Sequence, residues 1–134
     1  MSKKLLTVFK FLIFFFISIS ISKAELLKPN SQINPSEVVK IQLKSLQKNN
    51  DRFQDSGIEQ TWNFAHPNNK KATGPLEKFK RMIKGKNYKM MINHLSHTVT
   101  QVTSGDDWVQ FEVILLDKEK ICLLYTSPSP RDLY

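Results

Sequence analysis

The spacing of the apolar residues changes once along this chain, close to Gly85. Before Gly85, apolar side chains recur every three or four residues, which predicts amphipathic helices. After it, Val99–Thr103 is rich in β-branched residues, and Trp108–Leu116 alternates apolar with polar positions. Two such runs around the turn residues 104–107 predict an antiparallel hairpin. Helices followed by strands indicate an α+β domain, with three N-terminal helices packed on one face of an antiparallel sheet.

Three segments carry the spacing of the predicted helices: 34–48, 58–65 and 75–84. Asn34 can cap the first helix, and Pro35 suits its first turn because proline lacks the amide hydrogen that would be unpaired there. Pro67 is predicted to end the second helix, because the residue before a proline avoids the helical conformation. The polar residues 68–72 are then expected to form a loop.

The first 24 residues are typical of a secretory signal peptide. Lys3 and Lys4 precede the apolar stretch 11–22, and small residues lead up to Ala24. We expect cleavage near Ala24 and export to the periplasm or the cell exterior. The alternative is an uncleaved N-terminal membrane anchor. Contact with a membrane is expected only through this signal segment. The polar residues 25–33 are predicted to be a linker.

The C-terminal residues 122–134 contain the one cysteine of the chain, Cys122. The stretch from Cys122 to Asp132, CLLYTSPSPRD, resembles the translation of a transposase adapter used in sequencing libraries. We therefore expect residues 122–134 to be an artefact, and residues 34–121 to be a single α+β domain that lacks its C-terminal part. On this interpretation Cys122 carries no information about redox chemistry or metal binding.

The formal net charge is +8, and four of the lysines behind it lie in the predicted signal peptide. Eight of the remaining basic residues cluster loosely between Lys70 and Lys89. A nucleic-acid-binding domain usually concentrates more charge on one face, and export also argues against nucleic acid as a partner. The cluster is expected to be a solvated helix face, or alternatively a contact to an anionic surface.

Two motifs in the middle of the chain resemble the family called domain of unknown function 4864. They are WNFAHPNN at 62–69 and TGPLEKF at 73–79, supported by Asn49-Asn50-Asp51 after the first helix and by Asn93-His94 after Tyr88. The resemblance covers roughly Pro35–Lys120. It implies a small, often exported protein and assigns no reaction. By analogy, it also implies a curved sheet, similar to the cone-shaped fold of nuclear transport factor two and the polyketide cyclases.

A cone-shaped domain often encloses a pocket between its sheet and helices. Five residues are the candidates for lining such a pocket here: Trp62, Phe64, Phe79, Tyr88 and His94. Packing in the core is the simpler role for these aromatic side chains.

The sequence offers no recognisable metal or cofactor motif. His94 and His97 are three residues apart, which in a strand places them on opposite faces. His66 is expected to cap a carbonyl at a helix end, and Asp55 and Glu59 are expected to be solvated. We therefore expect neither a metal site nor a cofactor.

Three functions fit these features. The first is a non-catalytic exported domain that binds a small apolar ligand or an envelope partner. The second is a small enzyme similar to the polyketide cyclases, with His94, Tyr88 or Asp55 as acid or base in the pocket. The third is a binder of anionic surfaces through Lys70–Lys89. A buried polar pair inside a pocket would favour the enzyme.

Overall fold

The structure is a computed structural model that describes residues 25–118, 121–125 and 129–130. The predicted signal peptide, 1–24, lies outside these residues. Nine elements are described: helices α1 (Pro35–Gln47), α2 (Ser56–Asn63), α3 (Pro67–Thr73) and α4 (Leu76–Lys84), a 3₁₀ turn (Lys89–Met91), and strands β1 (Ser96–Ser104), β2 (Trp108–Leu116), β3 (Ile121–Tyr125) and β4 (Ser129–Pro130).

The predicted α+β arrangement is confirmed. The strands pair antiparallel in the order β1-β2-β3, and β4 pairs with the first residues of β2. The predicted hairpin is β1 and β2, in register from Ser96 opposite Leu116 to Ser104 opposite Val109. Strand β3 contains residues 122–125, which belong to the predicted artefact; the origin of these residues stays a prediction.

Two apolar clusters among the described residues form much of the core, and both include residues of helix α1. Leu43 packs with Val113 and Leu115 of β2, so this turn of α1 covers the sheet. Leu46, one turn later, packs instead against α2 and α4. Burying each of these leucines contributes roughly 1.5–3 kcal/mol. Met91 contacts both clusters and so joins the helical layer to the sheet.

Local signals explain where α1 begins. The side-chain oxygen of Asn34 accepts a hydrogen bond from the Glu37 amide at 2.9 Å, and Pro35 occupies the first turn. The predicted cap is confirmed, because Asn34 partners one of the amide groups that a helix start leaves unpaired.

The polar residues 68–72 form most of helix α3 rather than the predicted loop. Helix α2 ends at Asn63, before Pro67 is reached. Pro67 instead begins α3, because proline is well suited to a first helical turn. Nδ1 of His66 accepts a hydrogen bond from the Asn68 amide at 3.1 Å. His66 therefore caps an amide of the following helix, and the expectation that it caps a carbonyl is wrong.

The strand-like pattern predicted after Gly85 begins only at Ser96. Residues 89–91 form the 3₁₀ turn, and Asn93 adopts a left-handed conformation with φ of 56°. Two contacts to the end of α1 hold Asn93: its amide donates to the Leu46 carbonyl at 2.9 Å, and its side-chain oxygen accepts from the Asn49 amide at 3.2 Å. These contacts between distant residues override the local pattern.

Candidate functional site

A cleft of about 440 Å³ opens between the first described residues and the helices α1 and α2. Its lining residues come from four segments, which are residues 26–27, the outer face of α1, the loop that follows α1, and the start of α2. They are Leu26, Leu27, Glu37, Lys40, Ile41, Lys44, Ser45, Lys48, Asp51, Arg52, Ser56, Gly57 and Gln60.

The wall formed by residues 25–27 is fastened to α2 by a buried glutamine. Gln60 is only 4% exposed. Its side-chain oxygen accepts from the Leu27 amide at 2.7 Å, and its side-chain nitrogen donates to the Leu27 carbonyl at 2.9 Å. The Arg52 guanidinium adds a hydrogen bond to the Glu25 carbonyl. The backbone of this segment, predicted to be a linker, thus forms a fixed side of the cleft.

The floor of the cleft depends on close contact between α1 and α2. Gly57 lies against the backbone of α1, where its amide donates to the Asn49 carbonyl at 2.8 Å. The Thr61 hydroxyl lies close to both the Gly57 carbonyl, at 2.8 Å, and the Gln42 carbonyl, at 3.3 Å. Ile41 of α1 and Gly57 of α2 line the cleft at this contact and give it a partly apolar floor.

Four cations surround this floor and two carboxylates accompany them. Lys40 and Lys44 of α1 and Lys48, the residue just after it, follow one another at four-residue spacing, and Arg52 continues the row. All four side chains are exposed at the rim. Their four positive charges outnumber the two negative charges of Glu37 and Asp51. The cleft therefore attracts anions, and salt weakens this attraction.

A buried polar network lies behind the cleft. Asn49 is 3% exposed, and its side-chain nitrogen donates to Oδ1 of Asp55 at 3.2 Å. The Lys84 ammonium, from α4, binds the other oxygen of Asp55. Asp55 therefore joins all three helices α1, α2 and α4, and the expectation that it is solvated is wrong. Its backbone is also left-handed, with φ of 64°.

The pKa of Asp55 is set by opposing effects. Burial raises the pKa of Asp55. Hydrogen bonds from Lys84 and Asn49, together with the charges of Lys84 and Lys80, lower it by more than burial raises it, so the net shift is downward. Hydrogen bonds and cations favour the charged carboxylate, whereas loss of solvent disfavours it.

This shift predicts an acid-sensitive fold. A carboxyl whose pKa is lower in the folded state stabilises the protein above its unfolded pKa, about 3.9 for aspartate, and that contribution is lost as the pH falls through the folded pKa. We expect urea unfolding of the wild type to show this loss below about pH 4, and Asp55→Asn to lack it. Asp51→Asn, at an exposed carboxylate, is the control. An equal acid loss in Asp55→Asn would contradict the assignment.

Two histidines meet at the start of the sheet, although a strand would have separated them. His94 is 2% exposed, its Nδ1 lies 2.7 Å from the Met91 carbonyl, and its Nε2 lies 2.7 Å from Nδ1 of His97. Because a carbonyl only accepts, Nδ1 of His94 carries the hydrogen, and His97 donates to His94 when both rings are neutral. Burial and the neighbouring His94 lower the pKa of His97.

The structure does not bring the five predicted pocket residues together around the cleft. Trp62 packs on Phe79 with ring centroids 5.2 Å apart. Phe64 and His94 are buried, whereas Tyr88 is 41% exposed. None of the five is among the residues that line the cleft.

The basic residues between Lys70 and Lys89 are only partly available to a partner. Three of them use their ammonium groups within the domain: Lys70 on the Asn63 carbonyl, Lys80 on Glu77 and Lys84 on Asp55. Lys70 also lies 5.6 Å from the centre of the Trp62 ring, a favourable cation–π contact. Fewer of the positive charges between Lys70 and Lys89 are therefore available to an anionic partner than the sequence indicates.

The four-residue spacing of Lys40, Lys44 and Lys48 was visible in the sequence, but nothing there indicated that residues 25–27 would face it. Within the described residues, no group of three or more potential metal-ligating side chains comes together. Nor do the helices of this part of the chain include one with the length and hydropathy of a membrane span.

Comparisons with family models, curated proteins and solved structures return no match to this chain. The resemblance to domain of unknown function 4864 therefore stays a prediction.

Proposed function

We propose that this chain is a non-catalytic, exported binding module whose cleft takes a small ligand with an acidic group and an apolar part. The observation that carries the proposal is the row of four cations beside the partly apolar floor of the 440 Å³ cleft. The cations would hold the acidic group, and Ile41 with Leu26 would contact the apolar part. The predicted signal peptide and the resemblance to exported proteins support the location.

The contacts favour this function over the two alternatives. An enzyme would need a polar pair exposed to the ligand, whereas His94 uses both ring nitrogens on protein atoms and lies outside the cleft lining. A binder using Lys70–Lys89 would rely on the ammonium groups of its seven lysines, and three of these are engaged within the domain.

Octanoate and its uncharged counterpart octanol distinguish the proposed ligand class. We expect octanoate to shift the backbone NMR signals of Leu27, Gly57 and Gln60, and octanol to bind at least tenfold more weakly. Lys44→Glu should weaken octanoate binding about tenfold, because it replaces an attractive charge with a repulsive one.

Lys86→Glu is the matched control, since Lys86 is an exposed lysine outside the cleft. It should leave the octanoate affinity within twofold of the wild type. Equal binding of octanol, or a greater loss with Lys86→Glu than with Lys44→Glu, would overturn the proposal. The second result would favour the surface between Lys70 and Lys89.

A further inference from the structure

Strand β1 lies at the edge of the described sheet. It pairs with β2 along one side, and no described strand pairs with its other side. Such an edge presents backbone amide and carbonyl groups that can pair with another chain.

The edge lacks the charged and proline residues that usually prevent such pairing. The nine residues of β1, SHTVTQVTS, contain no lysine, arginine, aspartate, glutamate or proline. A bulge between Gln101 and Thr103 disturbs the end of the strand. Bulges are one of the devices that protect sheet edges, and this one leaves the regular part, Ser96–Gln101, unprotected.

The regular part of the edge is complementary to a second copy of itself. Thr98 pairs with Ile114 in the hairpin, and Ser96, Thr98 and Thr100 are exposed on one face of β1. In an antiparallel pair centred on Thr98, the two Thr98 residues are opposite each other and each Ser96 is opposite a Thr100. Cross-strand hydroxyl pairs of this kind are favourable, and no like charges meet.

We propose that two copies of this chain pair antiparallel through β1, with the twofold axis at Thr98, and so join their sheets into one. A twofold axis makes the contact closed and self-complementary. The edge suits a second copy because β1 has no lysine, arginine, aspartate or glutamate that would meet its own like charge across the axis. The net positive charge of the chain opposes association and keeps the dimer weak. A short strand pair buries less than the roughly 1,000 Å² expected of a stable interface, so the dimer is weak and forms at micromolar or higher concentrations.

Sedimentation with paired charge variants tests the proposal and the position of the axis. The wild type should change from monomer to dimer as its concentration rises from about 1 μM to 1 mM, the range of weak affinities. Thr98→Lys and Thr98→Glu should each weaken dimerisation at least tenfold, because like charges meet at the axis. An equimolar mixture of the two variants should form a dimer again, since lysine then lies opposite glutamate.

Gln110→Lys, within β2 rather than at the edge, is the control and should dimerise like the wild type. Circular dichroism would establish that each variant is folded. A wild type that stays monomeric throughout would overturn the proposal, and the edge would then be free for a different partner. Dimerisation of Thr98→Lys as strong as that of the wild type, or a mixture that stays monomeric, would overturn it as well.

Discussion

Replacing Gly57 with alanine is expected to destabilise the protein by about 3 kcal/mol, the upper part of the range for overpacking. A Cβ atom at this position would lie 2.0 Å from the Ser45 carbonyl oxygen and 2.8 Å from the Cα of Asn49. Both are backbone atoms, one in α1 and the other just after its end, so no side-chain rotation relieves the contact. Helices α1 and α2 would have to move apart, although alanine by itself favours a helix by about 1 kcal/mol.

The same movement would open the floor of the cleft. The hydrogen bond from the Gly57 amide to the Asn49 carbonyl would lengthen, and Gln60, one turn later on α2, would move relative to Leu27. We therefore expect urea denaturation to show the loss of stability and NMR titration to show weaker octanoate binding by whatever protein remains folded.

Gly85→Ala is the matched control for this prediction. Gly85 has an ordinary φ of −71°, and a Cβ there would lie 3.0 Å from the Met82 carbonyl oxygen, a much milder contact. Its effect should stay within about 1 kcal/mol, as for most substitutions without a severe clash. If Gly57→Ala were as mild as Gly85→Ala, α1 and α2 would not be packed as closely as described.

The sequence predicted the parts of the fold that depend on local pattern. The alternation within Trp108–Leu116 places Val109, Phe111, Val113 and Leu115 on one face of the strand, and all four are buried. A residue's neighbours along the chain suffice for this, because the two faces of a strand alternate residue by residue.

The parts that it missed depend on contacts between distant residues. A glycine in a helix is destabilising when only the local sequence is considered, but Gly57 lies where the backbone of α1 comes closest to α2. The cleft was missed for the same reason. Its cations were visible on α1, but the pairing of Gln60 with Leu27, 33 residues apart, forms the opposite wall. Neither contact follows from a periodic pattern.

Asn49 joins the start of α2 to the segment that leads into β1, two regions that the sequence pattern did not connect. Its backbone carbonyl accepts from the Gly57 amide and the Ser56 hydroxyl, and its side-chain oxygen accepts from the Ile58 amide at 3.0 Å. Its own amide donates to Asn93, which turns the chain toward β1. This one buried residue therefore fixes both the start of α2, beside the cleft, and the approach to the sheet.

Asn49→Asp is expected to cost about 3 kcal/mol of stability at pH 7, in the range for leaving a buried charge without compensation. The substitution keeps the oxygen that accepts from Ile58 but replaces the nitrogen that donates to Asp55 with a second oxygen. Two carboxylates would then lie within about 3 Å of each other, the situation in which two acids share one proton.

The pH dependence of Asn49→Asp gives the sharper test. Repulsion by Asp55 raises the folded-state pKa of the new carboxyl, so protonation favours the folded variant and its stability deficit should shrink as the pH falls from 7 to about 4. Asn50→Asp is the control: Asn50 is exposed, and its side-chain oxygen accepts from the Asp55 amide, a role that a carboxylate keeps. Urea unfolding at each pH measures both variants. If the loss of stability in Asn49→Asp were independent of pH, the side chains at 49 and 55 would not be in contact. That result would contradict the polar network described between α1, α2 and α4.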